Sequence, residues 1–374
     1  MQPSYPTIVC NKKILVNKIG IAQKAVGSRT TLDALKNLLL EASEGKLVIT
    51  GYDLETAIVA TMDVDVEIPG KIAIDSKLFG DIARKMPEEN INLELIEEEQ
   101  KLMIASGTSK FKITVGDISE FPEMPTVDKN SKFTINSKIF KNMITETKIA
   151  ISQDQTKPLL MGELIEIEKD FVSVVAVDGY RLAVSKQSVE TGIETPGKII
   201  VPGKALNDIS SIVGSDDFDI EIGYGNNFMC ASFEDVKFMA RLLIGDFIPY
   251  QNLIPKEYQA EIKVNRSKFL DAIDRATLIT SNEKNSLVKL AITDEFIQVT
   301  SNSDIGASAE QVSIEKTGDS LNIAFNARYL TEALKVISSE DIIIRYTSNI
   351  NPCTIHPTDD SDYLYLLFPV RLSN

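Results

Sequence analysis

Short runs of alternating apolar and polar residues recur along this chain, and six of them lead into a helical pattern. Each of these runs ends at a residue typical of a helix start, and the apolar residues that follow have the spacing of an amphipathic helix. The six starts are Asn11, Asp75, Asn136, Pro202, Asn265 and Asn326. Further alternating runs follow each helix, such as residues 46–53 and 219–224. Alternation of this kind predicts antiparallel strands with one buried face.

The helix starts form two interleaved series with a common period. In the series that begins at Asn11 the starts are 125 and 129 residues apart, and in the series that begins at Asp75 they are 127 and 124 apart. One strand followed by a capped helix is common anywhere, but six in strict alternation indicate an internal repeat. We therefore predict an α+β fold of three similar domains, each with two β-α-β-β-β half-repeats. Proline-containing junctions near residues 125 and 252 predict domains at 1–127, 128–254 and 255–374.

The charge of the chain is distributed unevenly. The 374 residues include 39 lysines and arginines against 54 aspartates and glutamates, a net charge of −15, which by itself argues against a nucleic-acid partner. Six windows that begin at the helix starts span residues 11–26, 75–86, 136–148, 202–213, 265–277 and 326–337. Together these windows hold 16 basic and 7 acidic residues, so they carry a net charge of +9 and the rest of the chain carries −24. Glutamate favours helices about as much as lysine does, yet the windows hold only Glu146 and Glu332. This asymmetry predicts a positive helical surface suited to a polyanion, with phosphate contacts that read no sequence.

Most catalytic chemistry is excluded by the residues that the chain lacks. A single histidine, His356, rules out a His-based triad or a multi-His metal site, and its position before a proline and an acidic pair predicts a solvated loop. No P-loop motif is present, and residues 223–225 lack the third glycine of a dinucleotide fingerprint. Residues 225–227 instead predict a hairpin turn. Asp53 and Glu55 could form a carboxylate pair, but a solvated strand face or turn is the favoured interpretation. We predict no catalytic residue, no metal and no cofactor.

The remaining sequence features concern location. No run approaches 18 consecutive apolar residues, and the N-terminus lacks the apolar run and cleavage site of a secretory signal. Cys10, Cys230 and Cys353 are odd in number and far apart, so neither a disulfide framework nor a zinc site is predicted. These features predict a cytoplasmic protein with no membrane partner.

Five stretches of the chain resemble the bacterial DNA polymerase III β subunit family, the β sliding clamps. They are SRTTLDALKNLLLEA (28–42), VVAVDGYRLAV (174–184), KIIVPGKAL (198–206), NEKNSLVKL (282–290) and FPVRL (368–372). The likeness extends from Thr7 to Leu372. It implies a homodimeric, head-to-tail ring of three domains per chain, with helices inside and sheets outside. It also implies a non-catalytic processivity factor that encircles double-stranded DNA regardless of sequence. The expected protein partners are the replicative DNA polymerase, the clamp loader and repair proteins.

The resemblance also implies which residues form the sites. The implied partner-peptide pocket consists of Leu160, Val177, Gly179, Tyr180, Arg181, Leu182, Asn326, Tyr329, Ile350, Pro352, Leu366, Leu367, Phe368, Pro369, Val370, Arg371 and Leu372. The implied DNA contacts are Arg29, Arg84, Lys157 and Lys204. The implied dimer contacts join Lys110, Phe111 and Ile113 of one copy to Leu278 and Ile279 of the other.

Two features of the pocket sequence leave alternatives open. The apolar run YLYLLFPV near the C-terminus equally predicts a final buried strand. The turn FIPY at 247–250 departs from the family's Phe-Pro-Asp-Tyr pattern, which changes the expected pocket floor near Ile248.

Two other functions compete with the clamp. One is an enzyme of unknown type, against which the missing histidine pairs and P-loop weigh. The other is a repeat-built scaffold for protein partners with no role on DNA. Retention on circular but not linear DNA separates a clamp from such a scaffold.

Overall fold

A computed structural model describes residues 7–27, 32–124, 131–225, 227–280, 286–359 and 362–371. Over these residues it contains six α-helices, each beginning directly after one of the predicted starts. They are α1 (Lys12–Ala22), α2 (Ser76–Lys85), α3 (Ser137–Thr147), α4 (Gly203–Val213), α5 (Arg266–Ala276) and α6 (Ala327–Val336). All six predicted helix starts are confirmed.

Four of the helices begin at these residues because the preceding side chain satisfies backbone N–H groups that lack a partner within the helix. Asn11, Asp75, Asn265 and Asn326 each accept a hydrogen bond from a backbone N–H two or three residues further on, at 2.7–3.2 Å. A cap of this kind contributes about 1 kcal/mol to the stability of a helix.

The strands follow the predicted order, with one strand before and three after each helix. The first two half-repeats contain β1 (Thr7–Asn11), β2 (Asn37–Ser43), β3 (Lys46–Tyr52), β4 (Thr56–Asp63), β5 (Asp65–Val66), β6 (Gly70–Asp75), β7 (Asn90–Ile96), β8 (Lys101–Ser106) and β9 (Ser109–Thr114). The next two contain β10 (Ser131–Asn136), β11 (Gly162–Ile167), β12 (Phe171–Val177), β13 (Arg181–Ser188), β14 (Gly197–Pro202), β15 (Asp219–Tyr224), β16 (Phe228–Phe233) and β17 (Val236–Arg241). The last two contain β18 (Ala260–Asn265), β19 (Leu287–Ile292), β20 (Phe296–Ser303), β21 (Gly306–Gly318), β22 (Leu321–Asn326), β23 (Asp341–Tyr346), β24 (Cys353–Pro357) and β25 (Asp362–Leu367). Only the short β5 is additional to the predicted β-α-β-β-β pattern.

The described residues form two compact units, one from 1–136 with 211–242 and the other from 137–210 with 243–374. The first unit contains a five-stranded sheet, β5-β1-β7-β8-β9, and an eight-stranded sheet, β10-β15-β16-β17-β4-β3-β2-β6. The second contains a twelve-stranded sheet, β14-β11-β12-β13-β25-β24-β23-β18-β21-β20-β19-β22. Neighbouring strands in all three sheets are antiparallel, as the alternating sequence pattern predicts.

Local predictions at two turns are confirmed. β15 and β16 pair as an antiparallel hairpin, which agrees with the turn predicted at residues 225–227. The carboxylate of Asp53 accepts hydrogen bonds from the backbone N–H groups of Glu55 and Thr56 at 3.1 and 2.6 Å, so it closes the turn between β3 and β4.

The predicted solvated loop at His356 is wrong. His356 lies on β24, where it pairs with Ile343 of β23, and its ring is half-buried with Nε2 2.9 Å from the Thr354 hydroxyl. The strand extends through Pro357, because a proline is tolerated at the end of a strand, where no further ladder bond is needed. Pro357 is therefore the last residue of β24, and His356 before it lies within the strand.

Three further observations concern the whole described chain. In the described ranges no helix is both long and apolar enough to cross a membrane. The same residues bring together no group of three or more His, Cys, Asp or Glu side chains suited to a metal ion. Cys10, Cys230 and Cys353 are free thiols and are buried.

Candidate functional site

Strand β25 separates two apolar clusters in the second unit. Tyr363, Tyr365 and Leu367 pack into the core built by α5 and α6, whereas Leu364 and Leu366 belong to a second cluster. Successive side chains of a strand point to opposite faces, so one strand supplies both. β25 is thus a buried strand and, on its other face, a wall of the second cluster.

This second cluster, called here the Leu366 cluster, combines residues from five strands, β11, β12, β13, β14 and β25, with a 3₁₀ helix before β11 and the segment that leads into β18. Its buried members are Leu160, Leu164, Val175, Val177, Leu182, Ile200, Tyr250 and Leu366. Half-buried residues around them are Leu159, Val184, Leu243, Phe247, Ile248, Leu253, Ile254, Leu364 and Phe368. The half-buried members leave apolar surface at the rim, which is the composition expected of a peptide-binding groove.

The FIPY turn is held firmly despite its unusual sequence. Phe247 and Ile248 pack against the Leu366 cluster, and the hydroxyl of Tyr250 donates a hydrogen bond to Glu166 at 2.6 Å. Glu166 also accepts from Lys198 Nζ at 2.7 Å. The altered turn therefore keeps two apolar side chains, Phe247 and Ile248, against the Leu366 cluster.

A buried cation lies at the edge of this groove. Arg181 is only 3% exposed, and it donates from Nε to Asp178 at 2.9 Å and from Nη1 to Glu332. Its guanidinium also lies over the Tyr329 ring, 4.1 Å from the ring centre. A buried charge needs such partners, because an unpaired one is costly to desolvate.

The aromatic rings beside Arg181 border an open cleft of about 940 Å³. Tyr180 stacks on Tyr329 with 6.0 Å between ring centres, and its own ring is largely exposed. Lys148 and Lys157 line the same cleft together with Asp154, so its charged lining is mixed.

The structure brings most of the implied pocket residues together in two groups. Leu160, Val177, Leu182, Leu366 and Phe368 share the Leu366 cluster, and Gly179, Tyr180, Arg181 and Tyr329 line the cleft.

The other implied pocket residues have separate surroundings. Leu367 faces the opposite core, Asn326 caps α6, and Ile350 is exposed. Pro352 lines a different cavity. Pro369, Val370 and Arg371 follow β25, and Val370 N donates to the Ala324 carbonyl at 2.8 Å. Leu372 lies outside the described residues.

The implied DNA contacts are exposed cations near helix ends and on a loop. Arg84, in the last turn of α2, lies 2.6 Å from Asp81, and Lys204, in the first turn of α4, lies 3.2 Å from Asp208. Lys157 is exposed on the loop that precedes β11. Arg29 lies outside the described residues.

Two of the basic helix residues do not contribute to an exposed positive surface. Lys18 of α1 is buried and forms an ion pair with Asp235. Arg266 of α5 donates to the backbone carbonyls of Ser339 and Leu334 at 2.9 and 3.0 Å. The predicted positive excess of the helices therefore overstates the exposed positive charge. A count of charges along the sequence could not show this, because Asp235, Ser339 and Leu334 are distant in sequence from the basic residues that they bind.

The implied dimer contacts lie at sheet edges or beside them. β9 is an outer strand of the five-stranded sheet; on it Lys110 is exposed, Phe111 is 45% exposed, and Ile113 is half-buried against the core. Leu278 is 69% exposed and Ile279 is half-buried, both in a short 3₁₀ helix after α5.

One further exposed residue near Leu278 was not recognised in the sequence. Ile305 is strongly exposed beside the first part of β21, which pairs with β20 but not with β18. An exposed hydrophobic residue beside an incompletely paired strand is typical of a protein contact.

Comparison with family models gives matches along nearly the whole chain. Residues 7–125 match the N-terminal domain of the DNA polymerase III beta subunit, 134–249 match its central domain, and 251–371 match its C-terminal domain.

Individual proteins give the same result. The chain is 31% identical to a beta sliding clamp of Staphylococcus epidermidis over 366 residues, which cover 95% of this chain and 97% of that protein. The crystal structure of the DNA polymerase sliding clamp from Bacillus subtilis superposes with a TM-score of 0.95 at 30% identity, covering 99% of this chain and all of that one. A sliding clamp from Bartonella birtlesii bound to griselimycin gives a TM-score of 0.93 at 27% identity, again covering 99% of this chain and all of that one.

Proposed function

Because this chain belongs to the bacterial DNA polymerase III β subunit family, we propose that it encircles duplex DNA and tethers the replicative polymerase to its template. It is a sliding clamp, a non-catalytic processivity factor with a three-domain α+β fold. The observation that carries this proposal is the match to all three family domains in their order along the chain. We place the domains at 1–127, 128–254 and 255–374, and the protein in the cytoplasm, where it meets the clamp loader and repair proteins.

Ring closure requires a contact between different surfaces of two copies that closes after the second copy. The outer strand β9, with Phe111 on it, and the exposed region around Leu278 and Ile279 are two such surfaces. Unpaired backbone along β9 favours strand addition, and the exposed apolar side chains favour burial. We therefore place the head-to-tail dimer contact between Lys110, Phe111 and Ile113 of one copy and Leu278 and Ile279 of the next.

The proposed DNA contacts suit a clamp that must move. Arg84 and Lys204 each have a carboxylate partner, but both cations are substantially exposed. Exposed pairs of this kind contribute only about 0–1 kcal/mol, so a DNA phosphate can replace the carboxylate at little cost. Such contacts, together with Lys157 and Arg29, are weak and exchangeable, and enclosure of the DNA rather than affinity keeps the protein bound.

The Leu366 cluster supports the proposal that partners bind through a short peptide. Its exposed rim offers apolar surface for leucine or phenylalanine anchors. We expect Arg181, Asn326 and Arg371 to supply polar groups that orient the peptide. A few buried anchors supply most of the affinity of such a groove, while polar groups set the orientation. We expect a peptide with one glutamine and leucine or phenylalanine anchors to bind there.

Retention on DNA of different topology tests the function directly. Clamp loaded on nicked circular DNA should remain bound through gel filtration at moderate salt, and cutting the circle once should release it. A scaffold with no DNA role would be retained on neither form, and an ordinary DNA-binding protein would be retained on both.

A further inference from the structure

A second cavity lies next to the Leu366 cluster in the same compact unit. It has a volume of about 250 Å³, and its walls include Ile254, Tyr258, Arg345, Pro352, His356 and Leu364. Of the implied pocket residues only Pro352 is among its lining residues, and we call this space the Tyr258 cavity.

The Tyr258 cavity is continuous with the proposed peptide groove. Leu364 and Ile254 line the cavity and also pack against the Leu366 cluster. Leu364 and Leu366 are two positions apart on the same face of β25, a distance of about 7 Å along a strand. An extended peptide advances about 3.3 Å per residue, so two to four residues beyond an anchor in the groove reach this cavity.

The walls of the cavity favour a flat, uncharged side chain. Tyr258 is 51% exposed, and the Arg345 guanidinium lies 4.8 Å from its ring centre. Arg345 donates from Nε to Glu261 at 2.7 Å, which neutralises its charge and holds its plane in place. Burial, reinforced by Arg345, lowers the pKa of His356 to about 4, so this side chain is uncharged at neutral pH.

These properties match an aromatic ring better than a carboxylate. A ring can stack on Tyr258 and on the guanidinium plane, and aromatic pairs contribute about 0.5–1.5 kcal/mol beyond the area they bury. A carboxylate would compete with Glu261 for Arg345. The exposed Lys256 also lines the cavity, but Glu257 follows it in the lining and offsets its charge.

We propose that the Tyr258 cavity extends the partner-peptide site and binds an aromatic side chain two to four residues beyond the anchors in the Leu366 cluster. This inference rests on the proposed peptide groove. It adds a specificity element, because partners with the extra aromatic residue would bind more tightly than partners with the anchors alone.

Calorimetry with synthetic peptides tests the proposal on the full-length protein. The core probe is the peptide Gln-Leu-Ser-Leu-Phe. Each extended probe adds four residues to one end of this peptide, and both ends are tried. The four added residues are either all alanine, or alanine with one phenylalanine at the second, third or fourth added position. At one end, a phenylalanine probe should bind about five- to tenfold more tightly than its alanine counterpart. Tyr258→Ala should remove this gain and leave the affinity for the core probe unchanged.

Matched variants keep the result interpretable. Phe228→Ala, a half-buried aromatic in the other compact unit, should leave the gain intact. Arg345→Met keeps the aliphatic stem and removes the flat cation, so it provides a second test should Tyr258→Ala fold poorly; it too should abolish the gain.

The outcomes separate this inference from the function on which it rests. If the core probe binds but no phenylalanine probe exceeds its alanine counterpart, the inference is overturned and the groove stands. A gain that persists in both Tyr258→Ala and Arg345→Met also overturns it. If the core probe itself does not bind the wild-type protein, the proposed groove and its extension both fail.

Discussion

The guanidinium of Arg181 on β13 lies 4.1 Å from the centre of the Tyr329 ring on α6. The same guanidinium bonds Asp178 beside it and Glu332, which is 151 residues away in sequence. Through one side chain the end of β13 is therefore fixed to a helix of the last half-repeat. Because this contact borders the proposed peptide groove, the shape of the groove depends on it.

Arg181→Ala should lower the free energy of unfolding by about 2–3 kcal/mol, because the charge-assisted hydrogen bonds to Asp178 and Glu332 are lost. Lys132→Ala is the matched control, since Lys132 pairs with Glu221 at 2.8 Å on the exposed surface and should cost less than about 1 kcal/mol. Urea denaturation followed by circular dichroism measures both. Equal losses would show that Arg181 acts as a surface cation.

The Glu163 carboxylate should make stability fall with rising pH. Glu163 is fully buried on β11, where it accepts a hydrogen bond from the Thr147 hydroxyl at 2.7 Å, and burial raises its pKa from 4.5 to about 8. Between these two values the folded protein keeps a proton that the unfolded chain releases. The contribution of Glu163 to the free energy of unfolding therefore decreases from about pH 4.5 to pH 8, by at most about 1.4 kcal/mol per pH unit. The lowered pKa of His356 opposes this decrease between about pH 4 and pH 6.5, so the net fall in stability is expected from about pH 6.5 to pH 8.

Glu163→Gln should remove this part of the pH dependence, because glutamine carries no ionisable proton. The variant should gain stability relative to wild type between pH 5 and pH 8, measured by urea denaturation at several pH values. Glu98→Gln, at an exposed position, is the control and should follow the wild-type curve. Parallel curves for wild type and Glu163→Gln would contradict the raised pKa.

Phe111→Ala combined with Ile279→Ala should shift the dimer toward monomer. Both residues lie in the proposed contact, and each lost side chain removes apolar area that association would bury. Analytical ultracentrifugation across a dilution series measures the dimer dissociation constant. Ile14→Ala, an exposed apolar residue on α1, is the control and should leave the constant unchanged. A double variant that stays dimeric at nanomolar concentration would place the contact elsewhere.

Local signals made the architecture predictable from the sequence. The caps at residues such as Asn11 and Asp75 act within three residues, and strand alternation is equally local, so helix starts and half-repeats could be read directly. The apolar run at the C-terminus was ambiguous because both faces of β25 are buried, which erases the alternation on which a strand prediction depends.

The features that could not be predicted from the sequence depend on contacts between residues that are far apart in the chain. Lys18 looks like any exposed helix lysine until Asp235, more than 200 residues later, is brought beside it. His356 has a loop-like sequence but occupies a strand whose neighbours are set by the whole sheet. The resemblance supplied Arg181 and Tyr329 as site residues, but the ion pair with Glu332 and the Tyr258 cavity required the fold.

Arg84→Glu combined with Lys204→Glu should weaken DNA binding without changing sequence preference, because phosphate contacts carry no base information. Each phosphate contact removed should also lower the slope of log K against log salt by about 0.9. Fluorescence anisotropy with two unrelated duplexes across a salt series measures both quantities. Lys132→Glu should leave the slope unchanged, and a base-specific footprint from the wild-type protein would contradict the sliding model.

Removing residues 368–374 should abolish binding of the Gln-Leu-Ser-Leu-Phe peptide while leaving the dimer intact. The deletion begins after β25, so the strand and its pairing with β13 remain, and the proposed dimer contacts lie elsewhere. It removes Phe368 from the rim of the Leu366 cluster and two backbone hydrogen bonds, from Phe368 N to the Tyr180 carbonyl at 2.9 Å and from Val370 N to the Ala324 carbonyl at 2.8 Å. Each such bond contributes about 1 kcal/mol, a loss that a protein of this size should tolerate.

Calorimetry measures the peptide affinity of the truncated protein, and native mass spectrometry verifies that it is still a dimer. Unchanged affinity in an intact dimer would mean that the residues after β25 only complete the core. If the deletion prevents folding, Phe368→Ala and the exposed Arg371→Ala give the answer separately. Loss of affinity with Phe368→Ala would identify an apolar anchor contact, because a half-buried ring at the rim is the group that a leucine or phenylalanine of the peptide would cover. Loss with Arg371→Ala alone would instead assign the tail a polar, orienting role.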